Sequence, residues 1–243
     1  VVVDAVKRWL QTTAGWLLIL DNVSDIKIVR DFLPAGGRGH ILMTTRASVS
    51  RTFALSVEIQ KMRPEDETLF LLRRAGIIPP GAPLGAASDV DRRRAREISE
   101  ALGGFPLALD LTGAYIGEVQ CSLISYLNLY KREKAKILKQ RGESDCLESV
   151  ATAMAISFEK VERANPAAAE LLRLCAFLHP DAIPEKVFTG GASELGPIIQ
   201  SIATDCFELN KAIRELRRYS FVQRNPNNSM LTIHRLLQGV LRD

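Results

Sequence analysis

Two stretches, Leu17-Leu18-Ile19-Leu20-Asp21-Asn22-Val23 and His40-Ile41-Leu42-Met43-Thr44-Thr45-Arg46, decide how the chain begins. Each is a short, continuous apolar run, the pattern of a strand buried on both faces of a parallel sheet. Working outward, Val2, Val6, Trp9 and Leu10 recur at helical spacing, which predicts an amphipathic helix over residues 1–11. Residues Ile26–Leu33 predict a short helix that stops at Pro34, and the loop Ala35-Gly36-Gly37-Arg38-Gly39 leads into the second strand. A third strand is expected at Ser56-Val57-Glu58-Ile59. Strand and helix alternating in this way is a parallel α/β layout. Three strands make a thin sheet, so residues 1–60 read as part of an α/β domain whose first βα unit precedes Val1.

Both strand tips carry charge. Asp21 ends the first run, placing a carboxylate in the crevice at the C-terminal edge where such sheets bind ligands. A carboxylate there can hold Mg²⁺ through a water, the Walker B arrangement. The alternative is a strand that ends in Asp only to begin a turn. Arg46 follows the second run, and its planar guanidinium can bind phosphate oxygens bidentately. The alternative for Arg46 is an ordinary surface arginine.

After Lys61 the pattern becomes helical. Pro64-Glu65-Asp66-Glu67 opens a helix that Gly76 stops, and Ser88 with Asp91 opens another that Gly103 closes. Further helices are expected from about Pro106 to Ile116 and from about Ser122 to Leu138, which together suggest a four-helix bundle over 61–140. Polar residues 140–148 read as a linker, and two helices follow at about 149–162 and 166–178. The C-terminal stretch has a helix with Leu209, Ala212, Ile213, Leu216 and Tyr219 on one face. It continues with the strand Phe221–Arg224, the turn Asn225-Pro226-Asn227-Asn228, the strand Met230–Ile233 and a last helix from about His234. Helix, hairpin, helix is the order of a winged helix, placed here over 141–243. The expected fold class is therefore a partial parallel-sheet α/β domain followed by an all-α bundle and a winged-helix domain.

Composition narrows the function classes. The 243 residues are 47% hydrophobic and 25% charged, an ordinary globular balance that needs no disulfide or metal staple. No apolar run reaches the length of a membrane helix, and the first residues lack a basic n-region, so no membrane or secretory role is expected. Cys121, Cys146, Cys175 and Cys206 are too far apart in sequence for a zinc or redox motif, and read as reduced core thiols of a cytoplasmic protein. A net charge of +4 is mild and argues against nucleic acid as the main partner.

Taken in order, LLILDNV, HILMTTR, Gly103-Gly104-Phe105-Pro106-Leu107-Ala108-Leu109 and Leu231-Thr232-Ile233-His234-Arg235-Leu236-Leu237-Gln238 resemble the NB-ARC family of STAND-class P-loop NTPases. Bacterial and fungal members with TPR repeats are the nearest in pattern. The resemblance implies roles residue by residue. Asp21 would be the Walker B acid acting on Mg²⁺, with Asn22 beside it in the catalytic position, and Arg46 the sensor of the γ-phosphate. Gly104, Pro106 and Leu107 would form the adenine-contacting turn, with the proline on the ring. His234 would contact the β-phosphate of ADP. It further implies an ADP-bound off state, an ATP-bound on state, self-association on activation and a downstream repeat domain.

Three departures bear on that expectation. Asn22 stands where the family often has a second acid, and an amide cannot accept the proton of attacking water, so an ATPase activity of this chain is left open. Ile233-His234-Arg235 replaces Met-His-Asp. No G-x-x-x-x-G-K-[ST] occurs, and Gly36-Gly37-Arg38-Gly39 is no substitute, because it leads into a strand where a phosphate loop must open a helix. Truncation ahead of Val1 is the favoured account, and weak nucleotide binding by this chain is the expectation. Two other functions stay open: a winged-helix DNA-binding regulator using Lys211, Arg214, Arg217 and Arg218, and a nucleotide-free interaction scaffold.

Overall fold

The computed structural model describes residues 2–23, 25–45, 54–141 and 145–242. The chain divides into two compact units, Val1–Gln60 and Lys61–Asp243, and each is described by itself.

In the first unit, helix α1 (Val2–Thr12) precedes strand β1 (Ala14–Val23), helix α2 (Ile26–Arg30) and strand β2 (Arg38–Thr45). The two strands pair in parallel, with Leu18 opposite Ile41 and Leu20 opposite Met43. Asp25 caps α2, its Oδ1 accepting from the Lys27 N–H at 2.8 Å. Helix α1 packs on both strands. It covers one face only, so Leu17 and Ile19 remain 60% and 58% exposed, and the expectation of strands buried on both faces is not met. The loop before β2 has a packing role. The Trp16 indole N–H donates to the Leu10 carbonyl at 2.7 Å, and its ring lies where side chains on Gly37 and Gly39 would be. A Cβ on Gly39 would sit 2.1 Å from that ring, so the glycines make room for an indole.

The third strand expected at Ser56–Ile59 is absent: residues 54–60 form no strand, and Leu55, Val57 and Ile59 are exposed. Extended apolar sequence becomes a strand only where a neighbour takes its backbone hydrogen bonds, and the described residues of this unit offer none to it.

The second unit begins with α3 (Pro64–Arg74), a 3₁₀ turn at Leu84–Ala86, α4 (Asp89–Ala101), α5 (Pro106–Val119) and α6 (Leu123–Arg141). Proline opens α3 and α5 at their first turns, where its missing N–H costs nothing. Ser88 caps α4: its hydroxyl accepts from the Asp91 N–H at 3.1 Å and donates to the Asp91 carboxylate at 2.7 Å. The buried stripe of α4 runs through Ala95 and Ile98, while Val90 in its first turn faces solvent.

Helix α7 (Asp145–Ala164) packs against α5, α6, α8 (Pro166–Ala176) and α12 (Arg235–Arg242), and so joins the helical bundle to the C-terminal elements. The linker expected at 140–148 narrows accordingly, and residues 142–144 lie outside the described residues. Sequence reading found nothing between 179 and 205. The structure has β3 (Ile183–Pro184), α9 (Lys186–Gly190) and α10 (Gly196–Ala203) there. Then come α11 (Cys206–Arg218), β4 (Val222–Asn225) and β5 (Met230–Ile233). The antiparallel sheet has the order β3-β5-β4.

One core runs through the unit. Tyr126, Tyr130, Phe188 and Phe221 are its largest fully buried side chains. Inside it the hydroxyls of Thr112 and Tyr126 bond at 2.8 Å. At the periphery Arg74 donates from Nε to Asp110 at 2.6 Å and from Nη2 to Ser220 at 2.7 Å, tying α3 and α5 to the start of the hairpin. Arg218 on α11 pairs with Glu118 at the end of α5. Of the cysteines, Cys175 is buried and its thiol is pushed up to about 12 by burial. Cys121 is half-buried and Cys206 is exposed at the first turn of α11, so these two are not core thiols; the surroundings of Cys146 lie outside the described residues. No helix among the described residues is long and apolar enough to cross a membrane.

Candidate functional site

The first group of candidates sits at the C-terminal tips of the parallel strands. The Thr44 hydroxyl on β2 donates to Asp21 Oδ1 at 2.5 Å and accepts from the Asn22 N–H at 2.8 Å. One side chain thus fixes both the carboxylate and the backbone that follows it. Thr45 does the same a step further, donating to the Val23 carbonyl at 2.6 Å. Asn22 has φ +54°, a left-handed conformation that asparagine tolerates better than most residues. Asn22 therefore serves the turn as well as occupying the position of a possible acid. Asp25, the other nearby carboxylate, is engaged in capping α2.

Asp21 is exposed, and beyond its bond to Thr44 no other partner appears among the described residues. Among the described residues no three His, Cys, Asp or Glu side chains gather as a metal cage. A single fixed carboxylate at a strand tip fits a Mg²⁺ ion that keeps most of its waters, the usual coordination of that ion beside phosphates. Arg46 lies outside the described residues.

The second group belongs to the Lys61–Asp243 unit. Gly103 and Gly104 have φ +68° and +69°. Gly104 is buried, and a Cβ there would meet the Glu67 carboxylate of α3 at 2.0 Å. Burial raises the Glu67 pKa, opposed by Lys61. Lys61 Nζ itself lies 5.8 Å from the centre of the Phe105 ring. This close turn delivers Pro106 to the first position of α5 with its ring exposed, while Leu107 is half-buried and anchors the helix start. The geometry leaves a flat apolar surface at Pro106 on which an aromatic ring could rest.

His234 stands between β5 and α12 and caps that helix. Its Nδ1 accepts from the Leu236 N–H at 3.1 Å, and its carbonyl accepts from the N–H groups of Leu237 and Gln238 at 2.9 and 3.2 Å. With Nδ1 accepting, the neutral ring carries its proton on Nε2. The ring is open to solvent on one side, and partial desolvation on the other holds its pKa below the usual imidazole value. Arg235 pairs with Asp181 at 3.2 Å, and Gln238 donates to the carbonyls of Cys175 and Leu178 at 2.9 Å each. Arg235, which stands where the Met-His-Asp pattern has its aspartate, is thus tied to the loop before β3.

Asp21 and Asn22 come together with Thr44 in the first unit. Gly104, Pro106 and Leu107 come together with Glu67 in the second, and His234 stands apart, though α5 and α12 share α7 as a neighbour. Two surface clefts of the second unit, of about 240 and 560 Å³, are lined by other residues. Sequence reasoning missed Thr44 and Glu67. The Thr-Thr pair at the strand tip was a visible signal for the first, whereas nothing local marks a residue that meets Gly104 from 37 positions earlier.

Residues 159–243, from within α7 to the end of the chain, match a family model described as a domain of unknown function (DUF7779). A second likeness covers nearly the whole chain. It is to a fungal NLR-like protein. That relative, from Hyaloscypha variabilis, is named nucleotide-binding leucine-rich repeat (NLR)-like protein and is 25% identical over 267 aligned positions. The match takes in 96% of this chain and 24% of the relative, so the chain spans about a quarter of the length of that protein.

Proposed function

We propose that this chain is part of a STAND-type (NB-ARC) signalling switch that is off with ADP and on with ATP. The observation that carries the reading is the Asp21 carboxylate at the end of a parallel strand, held by Thr44 from the neighbouring strand tip. The likeness to an NLR-like protein along 96% of the chain supports it. In this reading residues 1–60 belong to the nucleotide-binding domain, 61–140 form the helical bundle, and 141–243 form a winged helix built from α11, the β4–β5 hairpin and α12. Asp21 holds Mg²⁺ through a water, Arg46 meets the γ-phosphate, Pro106 packs on adenine beside Gly104 and Leu107, and the Nε2–H of His234 donates to the β-phosphate of ADP. Asn22 cannot act as a base, so hydrolysis, where it occurs, is slow. Release of the winged helix on exchange for ATP exposes surfaces for self-association in the cytoplasm, with output passed to a downstream repeat domain. The switch requires that ADP bind the closed arrangement more tightly than the open one, since equal binding shifts nothing.

The test begins with the gene upstream of Val1, where a G-x-x-x-x-G-K-[ST] segment is expected. In the chain that includes it, fluorescent ADP should bind in a Mg²⁺-dependent manner. Pro106→Ala and His234→Ala should each weaken binding roughly tenfold, about the effect of losing one well-placed contact. No such segment upstream, or ADP binding indifferent to both substitutions, overturns the proposal.

A further inference from the structure

Helix α11 keeps its apolar residues Leu209, Ala212, Ile213 and Leu216 in the core and turns a cationic face to solvent. Arg214 and Arg217 are exposed on that face, three residues apart, and neither guanidinium has an ion pair or hydrogen bond among the described residues. Lys211 is next to them, held only loosely by Glu208 at 3.4 Å. From β4, Arg224 reaches the same place. Glu185 grips its guanidinium at 2.6 and 2.7 Å, and it donates to Asn210 Oδ1 at 2.6 Å. These four cations, with Asn210 and Phe207, surround a cleft of about 240 Å³ that no carboxylate lines. The acids nearby are already engaged: Glu208 with Lys211, Glu185 with Arg224, and Glu215 with Arg218.

The arginine-rich stretch of α4 behaves differently. There Arg92 pairs with Asp89, Arg94 with Glu97 and Arg96 with Glu100, each within its own helix, and Arg93 alone of the four is exposed without an ion pair among the described residues. A solvated charged face ordinarily neutralises itself in this way. The α11 face leaves two guanidinium groups three residues apart on the rim of one cleft with no acid among its lining residues, an arrangement an anion would neutralise.

We propose that this cleft binds the phosphodiester backbone of a nucleic acid duplex. Lys211, Arg214 and Arg217 rise along the helix over about 9 Å, at 1.5 Å per residue. That length takes in two or three phosphates of one strand at a rise of about 3.4 Å each. Arg224 and the hairpin turn Asn225-Pro226-Asn227-Asn228 supply a second, uncharged-tipped element beside the helix, and Phe207, 72% exposed, offers a flat apolar surface at the cleft edge. Contacts of this kind position a protein on a duplex without reading its sequence. The mild net charge of the chain is an average over 28 acidic side chains, most of which lie elsewhere. This inference stands independently of the adenine-nucleotide switch.

The test is fluorescence anisotropy of the whole chain with a labelled random-sequence duplex of about 20 base pairs. Affinity should fall with salt at a log–log slope of about −2 to −3, as three phosphate contacts require. R214E/R217E should weaken binding at least about tenfold and flatten the slope, while R93E/R96E on α4 should change affinity less than about twofold. Should the charge-reversed protein fold poorly, R214Q/R217Q gives the same readout with a smaller loss. Absence of binding at about 50 mM salt, insensitivity to the α11 substitutions, equal loss in the α4 variant, or displacement of the duplex by a lower concentration of poly-glutamate peptide each overturns the proposal.

Discussion

The two units have similarly apolar sequences and use them in opposite ways. In the first, Leu10 is the one hydrophobic side chain buried among the described residues, while Trp9, Leu17, Ile19 and Leu42 are more than half exposed. In the second, four large aromatic side chains and a continuous run of leucines and isoleucines are removed from water. The parallel pair β1–β2 is therefore held by its backbone ladder and by single polar contacts at its tip, whereas the second unit is held by packing. Apolar character in a sequence specifies an element; the layers around it decide how much free energy the element contributes.

Substitutions should separate the two regimes. The largest contrast is expected between Phe221→Ala, which opens a cavity in the second core, and Leu17→Ala on the open sheet face. The first should cost about 3–5 kcal/mol and the second less than about 1 kcal/mol, as read from urea denaturation followed by circular dichroism. Comparable losses at both positions would break the contrast.

A smaller difference is expected for two threonines. Thr112→Val leaves the Tyr126 hydroxyl buried without a partner, at a cost of about 1–3 kcal/mol. Thr44→Val removes two hydrogen bonds at an exposed strand tip where water can replace them, and should cost roughly 1 kcal/mol or less. Proton-exchange protection of the Asn22 amide would follow the second change even where global stability does not.

The smallest effect belongs to acid. The folded state keeps His234 neutral and holds its pKa below the unfolded value, so the unfolded chain takes up the proton first as pH falls. The stability His234 contributes is present above about pH 6.5 and is lost as pH drops through the lower folded value. Lowering pH from about 7.5 to about 5.5 should therefore destabilise the second unit, and His234→Asn, which caps without titrating in that range, should flatten the dependence. An unchanged pH profile in that variant would show that other groups carry it.

Much of the fold was legible because its signals are local. Pro64, Pro106 and Pro166 opened helices where expected, Ser88 capped one with Asp91, and the hairpin formed around Asn225-Pro226-Asn227-Asn228. The segment from Ile183 to Ala203 was not legible. A two-residue strand and a five-residue helix are too short to show a period, although Phe188 and Ile199 are buried there. The expected strand at Ser56–Ile59 failed for the reverse reason, since its composition was right and its partner was missing among the described residues. At the candidate site the strand-tip carboxylate could be read from an apolar run ending in Asp21. Its restraint by Thr44, 23 residues away, could not, because pairing register is a long-range property.

The packing of Trp16 against Gly37 and Gly39 has an optical consequence. The chain's two tryptophans, Trp9 and Trp16, both lie in the first unit, and its four tyrosines, Tyr115, Tyr126, Tyr130 and Tyr219, all lie in the second. Indole emission consequently reports on the sheet and its covering helix, and no indole lies in the helical core. Excited at the red edge of the band, where phenols do not absorb, indole emission follows the melting of the first unit without a contribution from the tyrosines of the second.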